Sequence, residues 1–298
     1  MSDASLRLGP PARVDVGLGT AYERWAVYEL LKRWLPPWEI RTALEGPVDG
    51  MAGIPGLHLL PAAALGARVT VLVPDREAAD TVSSVYRLLG LGERLDARVA
   101  ATWPKDESFD LVFSYNALPF VDGWRRYLAD AAGHAARLLV VSTTHPASYG
   151  VFLRRLMRLV EPHPHPAELF DHEAIRAPIL EPALSAFGTI VEDAYVDCPW
   201  WPDLFVETGQ TLVSGTLGRL PFGKRFLRSI PSPTPTGKDE PFLHGPEKFP
   251  FFSAELRSEE LGPALRRHPA LDTAPRPLAA LFAHHRIRAV ERKAQGER

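Results

Sequence analysis

Residues 39–75, EIRTALEGPVDGMAGIPGLHLLPAAALGARVTVLVPD, constrain this chain more than any other stretch. They read as a strand, a glycine-punctuated turn, a helix and a second strand that ends in an acid. Ile40–Leu44 is short and apolar, and Gly46, Gly50 and Gly53 then crowd one short turn. Glycine is required where backbone turns tightly or approaches a ligand, because no side chain is there to clash. Leu57–Leu65 is apolar enough for a helix packed on a sheet, with Pro61 marking a break or a restart at a first-turn position. Arg68–Val73 is rich in β-branched residues and predicts a buried strand closed by Pro74-Asp75. A βαβ unit with a glycine-rich first turn and an acid after strand two suits a nucleotide. Its turn offers N–H groups, and the acid accepts hydrogen bonds from ribose hydroxyls.

The pattern continues beyond that unit. Ala21–Leu35 predicts an amphipathic helix with Trp25, Tyr28, Leu31 and Leu35 on one face, stopped by Pro36-Pro37. It either packs on the sheet or forms a lid that turns Tyr22 or Trp25 towards a ligand. Helices are expected at Arg76–Leu91, at Gly123–Ala135 with Asp122 as cap, and at Ala147–Val160; a short one follows Asp171. Strands are expected at Leu95–Ala101, Phe109–Asn116, Arg137–Ser142, Ile190–Val196 and Gly209–Leu217, with a final helix at Pro277–Val290. Alternating strands and helices imply an α/β fold, a doubly wound and mostly parallel sheet with helices on both faces.

Composition removes several function classes. Net charge is −2, which gives no electrostatic footprint for nucleic acid. No run approaches a membrane span of about 18 apolar residues, and the first residues lack the apolar core of a secretory signal. Cys198 is the one cysteine, so an intrachain disulfide is excluded and a cytoplasmic, reducing setting is expected.

Glu45-Gly46-Pro47-Val48-Asp49-Gly50, then Asp75, then Phe109-Asp110-Leu111-Val112 with Ser114 and the following LPFV together resemble the class I S-adenosylmethionine-dependent methyltransferases. The resemblance covers residues 38–145 well and extends weakly to 217. It implies a Rossmann-like seven-stranded sheet whose last strand is an antiparallel hairpin insertion, a place that residues 184–217 are expected to fill. It implies S-adenosylmethionine as cofactor, with Glu45, Gly46, Pro47, Asp49, Gly50 and Met51 lining its methionine end and Asp75 binding its ribose. Ser114, Tyr115 and Asn116 would stand near the reacting methyl, and Trp103 beside the adenine. This chain departs from the family where Pro47, Val48 and Asp49 separate Gly46 from Gly50, and where proline removes an N–H donor from the turn. Either the loop holds the cofactor in a variant way or it no longer holds it.

The function so implied is methyl transfer to a small-molecule acceptor, with the oligomeric state undetermined. A non-catalytic binding or assembly module on the same fold is the alternative. A nicotinamide-dependent oxidoreductase fits less well, because the first glycine interval is too long for G-x-G-x-x-G. His145, just beyond strand five, is the candidate base and Asn116 a candidate hydrogen-bonding partner; a loop-stabilising histidine and a turn residue are the competing readings. No metal site is expected. His163 and His165 with Asp171 and His172 have ligand chemistry but lie among prolines, and His284 and His285 point about 100° apart on a helix. Trp200-Trp201 and Phe249–Phe252 read as packing or as an apolar acceptor pocket, and Cys198 as a buried small residue. The chain divides into an arm and cap helix at 1–37, a cofactor-binding domain at 38–219 and an irregular C-terminal extension at 220–298.

Overall fold

The computed structural model describes residues 18–47, 56–147, 151–152, 171–197 and 274–293. Seven strands form one sheet: β1 (Thr42–Glu45), β2 (Arg68–Val73), β3 (Leu95–Val99), β4 (Phe109–Tyr115), β5 (Ala135–Thr144), β6 (Gly188–Asp197) and β7 (Ala283–Arg292). Their order across the sheet is β3-β2-β1-β4-β5-β7-β6. Strands β1 to β5 pair in parallel, whereas β7 runs antiparallel between β5 and β6. The order reverses between β1 and β4, which is where an open α/β sheet forms a crevice at its carboxyl edge.

Six α-helices flank it among the described residues: α1 (Leu18–Trp34), α2 (Leu60–Ala64), α3 (Arg76–Leu88), α4 (Trp124–His134), α5 (Ala177–Ser185) and α6 (Arg276–Phe282). One face packs under α1, α2 and α3, where Tyr28, Leu31, Leu60, Val82 and Val85 meet Ala43, Val69, Leu111, Leu138 and Ile287 of the sheet. The other packs under α4 and α5, where Tyr127, Leu128, Leu180 and Leu184 meet Leu44, Val112, Leu139 and Val290. Successive residues of a strand serve opposite faces, so the near-continuous apolar runs of β2 and β4 follow from burial on both sides.

Local chemistry sets the boundaries. Pro61 falls in the first turn of α2, after a 3-10 turn at Leu57–Leu59, and so restarts the helix. Helix α4 begins after Gly123, at φ 67°, without a side-chain cap, so Asp122 is not its capping residue. Glycine takes up this left-handed backbone, between the 3-10 turn at Leu118–Phe120 and α4, without steric cost. Asp110 ties two strands together at the amino edge: its Oδ2 accepts the N–H groups of Arg41 at 2.8 Å and Thr42 at 3.1 Å.

The C-terminal part differs from expectation. The last inserted strand is residues 283–292 and not a partner within 184–217, and the predicted helix over Pro277–Val290 is a helix only to Phe282. Alanine and arginine favour a helix locally, but His285, Ile287 and Ala289 alternate onto the face of the sheet under α1. Pairing along both edges outweighs the local preference. The expected strand at Gly209–Leu217, the aromatic pairs Trp200-Trp201 and Phe249–Phe252, Cys198, and His163 and His165 lie outside the described residues. So does most of the expected helix Ala147–Val160. Among the described residues no helix is long and apolar enough to cross a membrane.

Asp110→Ala is expected to lower unfolding stability by about 1–3 kcal/mol, since two strand N–H groups lose a charged acceptor. Urea denaturation of the two proteins measures the difference; equal midpoints would contradict the bridging role.

Candidate active site at the carboxyl edge

Glu45 ends β1 and is buried. Its Oε1 accepts the N–H of Gly56 at 3.1 Å, while Oε2 is buried with no hydrogen-bond partner among the described residues. Gly46 follows with φ 135°, and a Cβ there would stand 2.7 Å from the Leu72 Cβ. Gly56 has φ 82°, and its Cβ would meet Val71 Cγ2 at 2.6 Å. Both positions therefore need glycine on conformational and steric grounds. Two tyrosines fix the same segment: Tyr86 Oη donates to the Gly56 carbonyl at 2.9 Å, and Tyr28 Oη donates to the Leu57 carbonyl at 2.6 Å.

From this anchor a string of polar rings crosses the carboxyl edge. His58 Nδ1 is 3.9 Å from Glu45 Oε1, and its ring stacks on Tyr115 at 3.8 Å. Burial lowers the His58 pKa more than the Glu45 carboxylate raises it. Tyr115 in turn faces His285 at 5.2 Å, and its hydroxyl is buried with no hydrogen-bond partner among the described residues. At the far end His285 Nε2 contacts Glu23 Oε1, and His284 Nδ1 lies 3.2 Å from Glu23 Oε2. Burial opposes ionisation of Glu23, but His285 and His284 hold its carboxyl well below the usual range.

The remaining expected residues fall around this string. Asp75 follows β2 and caps α3, accepting the Ala78 N–H at 2.9 Å. Ser114 is fully buried on the opposite face, beside the Tyr127 hydroxyl. Asn116, at φ 48°, accepts both the N–H of Thr144 at 2.9 Å and its hydroxyl at 3.0 Å through Oδ1, so it joins the ends of β4 and β5. Trp103 packs against Tyr127 and His134 of α4, on the face away from the helix that Asp75 caps. His145 is buried with its ring edge on Tyr195 at 5.1 Å, and its backbone N–H donates to the His284 carbonyl at 2.8 Å. Burial, with Arg286 and Arg288 nearby, lowers its pKa to about 4 and leaves the imidazole neutral at ordinary pH. Pro47 follows Gly46 across a cis peptide bond, whereas Asp49, Gly50 and Met51 lie outside the described residues.

Sequence reasoning missed Gly56, His58 and Glu23, and it placed His284 and His285 on the wrong element. The signal for Gly56 was a glycine directly before an apolar run; for the histidines it was the alternation of His285, Ile287 and Ala289. Beside them Arg286 grips Asp193 by two parallel bonds of 2.7 Å.

The strand order, with one antiparallel strand next to the edge, is the fold of the class I S-adenosylmethionine-dependent methyltransferases. No protein-family model and no curated protein sequence matches the chain. Solved structures similar to it include the magnesium protoporphyrin IX methyltransferase of Synechocystis PCC 6803 with bound SAH, at 15% identity and TM-score 0.48, covering 61% of this chain and 79% of that one. YjhP of E. coli is similar at 15% identity and TM-score 0.46 over 94% and 100% of the two chains. A SAM-dependent methyltransferase of Thermotoga maritima, a possible histamine N-methyltransferase, is similar at 19% identity and TM-score 0.41 over 59% and 74%. At these values the likeness carries no argument, and the strand order defines the fold by itself.

Burial opposes the ionisation of Asp193, but the bonds from Arg286 and the charges of Arg288 and Arg276 outweigh it and lower the carboxyl. A depressed folded-state pKa stabilises fully above the ordinary value of 3.8 and is lost as pH falls through the folded value. Asp193→Asn is thus expected to be less stable at pH 7 and to lose less on acidification below pH 4, read from urea midpoints across pH.

Proposed function

We propose that this chain transfers a methyl group from S-adenosylmethionine to a small-molecule acceptor. The observation that carries this reading is the buried Glu45 carboxylate at the crevice between β1 and β4, with Oε2 lacking a hydrogen-bond partner among the described residues. A carboxylate oxygen left so in the interior is costly unless a donor arrives. Gly46, whose Cβ-free backbone crosses close over Leu72, and Asp75 at the end of β2 fit the remaining polar parts of that cofactor. Glu45 and Gly46 would hold its methionine end, Asp75 its ribose, and Tyr115 would border the reacting side. When bound, the cofactor supplies an electrophilic methyl on a sulfonium.

The chain's own residues supply position and dryness. Tyr28 and Tyr86 hold the segment at Gly56, so Glu45 keeps one fixed orientation. Buried Tyr115, His58 and Phe113 exclude water from the crevice, and in-line displacement gains most from such positioning. Neutral His145 stands on the other face, among Arg286 and Arg288, and the Asn116 carboxamide oxygen is committed to Thr144, so neither is assigned as a base for the acceptor. A polar cluster enclosed under α1 suits a small acceptor better than a polymer. A cytoplasmic setting belongs to the same reading and draws on the single cysteine.

Calorimetric titration with S-adenosylmethionine tests it, using Asp75→Asn as the variant. Asparagine caps a helix as well as aspartate does, so α3 keeps its Ala78 bond while the charge on the ribose side disappears. Micromolar binding that weakens on the order of 10-fold in the variant is expected, about 1.4 kcal/mol. A folded protein that binds no S-adenosylmethionine would sink the reading in favour of a non-catalytic module.

A further inference from the structure

Three ligand-type side chains converge where no metal was expected. Glu23 comes from α1, and His284 and His285 from the start of β7. Neighbours on a strand ordinarily point to opposite faces. Here the register on β6 shifts: Val196 pairs with His285 and Asp197 with Ala283, so His284 is an extra residue. A bulge of this kind re-aims a side chain, and the two imidazole rings come to lie 4.0 Å apart. One ligand atom from each of Glu23, His284 and His285 lies within 4.8 Å of the others.

The geometry points to a site for a divalent transition-metal ion of the zinc type, held by Glu23, His284 and His285. Two imidazoles and one carboxylate form a donor set that suits zinc, iron, nickel or copper and disfavours magnesium and calcium. Three protein ligands leave a fourth tetrahedral position open, the arrangement of metal centres that take a further ligand. Access exists on one side, because the His284 side chain is 16% exposed while the His285 side chain is 2% exposed. The ion would stand beside Tyr115, whose ring is 5.2 Å from that of His285, at the edge where the strand ends gather. A salt bridge alone would need one histidine and no bulge. The site does not depend on the methyl-transfer reading.

Full-length protein, stripped with a chelator, is titrated with zinc chloride by calorimetry and with cobalt(II) by visible absorption; magnesium chloride is the control. One equivalent of zinc, with an intense visible cobalt spectrum of four-coordinate type and no magnesium response, is expected. Glu23→Ala and His285→Gln should weaken zinc binding by more than about 10-fold, with circular dichroism establishing that each remains folded. If either fails to fold, zinc-edge X-ray absorption of the wild-type protein decides, since two imidazole ligands and oxygen are required. Absence of stoichiometric zinc binding, affinity unchanged in folded variants, or an absorption spectrum without imidazole would overturn the proposal. The three side chains would then be a proton-sharing polar cluster.

Discussion

The hydrogen bond from Gly56 to Glu45 is the constraint on which the carboxyl edge depends. It ties Gly56 back onto the end of β1, and it does so through a buried carboxylate, for which such a bond contributes about 1.5–3 kcal/mol. The residues around it keep that contact close. Gly46 and Gly56 remove the two β-carbons that would strike β2, and Tyr28 and Tyr86 take the neighbouring carbonyls. The same contact brings His58 over Tyr115, so a backbone constraint becomes a constraint on the rings that line the crevice.

The sheet separates two kinds of polar chemistry. On the face under α1 to α3, Glu45, His58, Tyr115, His285 and Glu23 form a buried string with few charges in excess. On the face under α4 and α5, Arg286 and Arg288 meet Asp193 and Glu181, and a depressed imidazole, His145, stands among them. Strand alternation produces this division: neighbours along β7 contribute His285 to one chemistry and Arg286 to the other. A single strand thus supplies residues to the crevice and to the cross-sheet ion network that fixes it.

Much of the fold was legible because local and global signals agree over residues 38–145. The β-branched run of β2, the Phe109-Asp110 start of β4 and the alternation of elements all point the same way, and the sheet follows. Asp110 illustrates the limit of such reading: it was legible as half of the pair that opens β4, but not as the acceptor that ties β4 to the start of β1. Asp75 was legible as an acid after β2 but not as a helix cap. The inserted strand was illegible for a different reason. Residues 283–292 are composed like a helix, and only two partner strands, both distant in sequence, make them extended. Glu23 was invisible in the same sense, since nothing on its own helix announces two histidines near the other end of the chain.

Strand β7 also sets the order of events when the chain is made. Thr144 and His285 are neighbours in the sheet but stand 141 positions apart in the chain. As the ribosome proceeds, β1 to β5 are complete long before the strand that belongs against β5 exists. At common synthesis rates the interval between β6 and β7 lasts about 5–20 s. Through that time β5 and β6 each present an open edge, the surface on which chains aggregate or exchange strands. Closing such remote pairs is also the slow part of sheet formation. The nascent protein therefore passes through a half-sheet stage that a chaperone or a neighbouring copy can reach, and the arrival of β7 ends it.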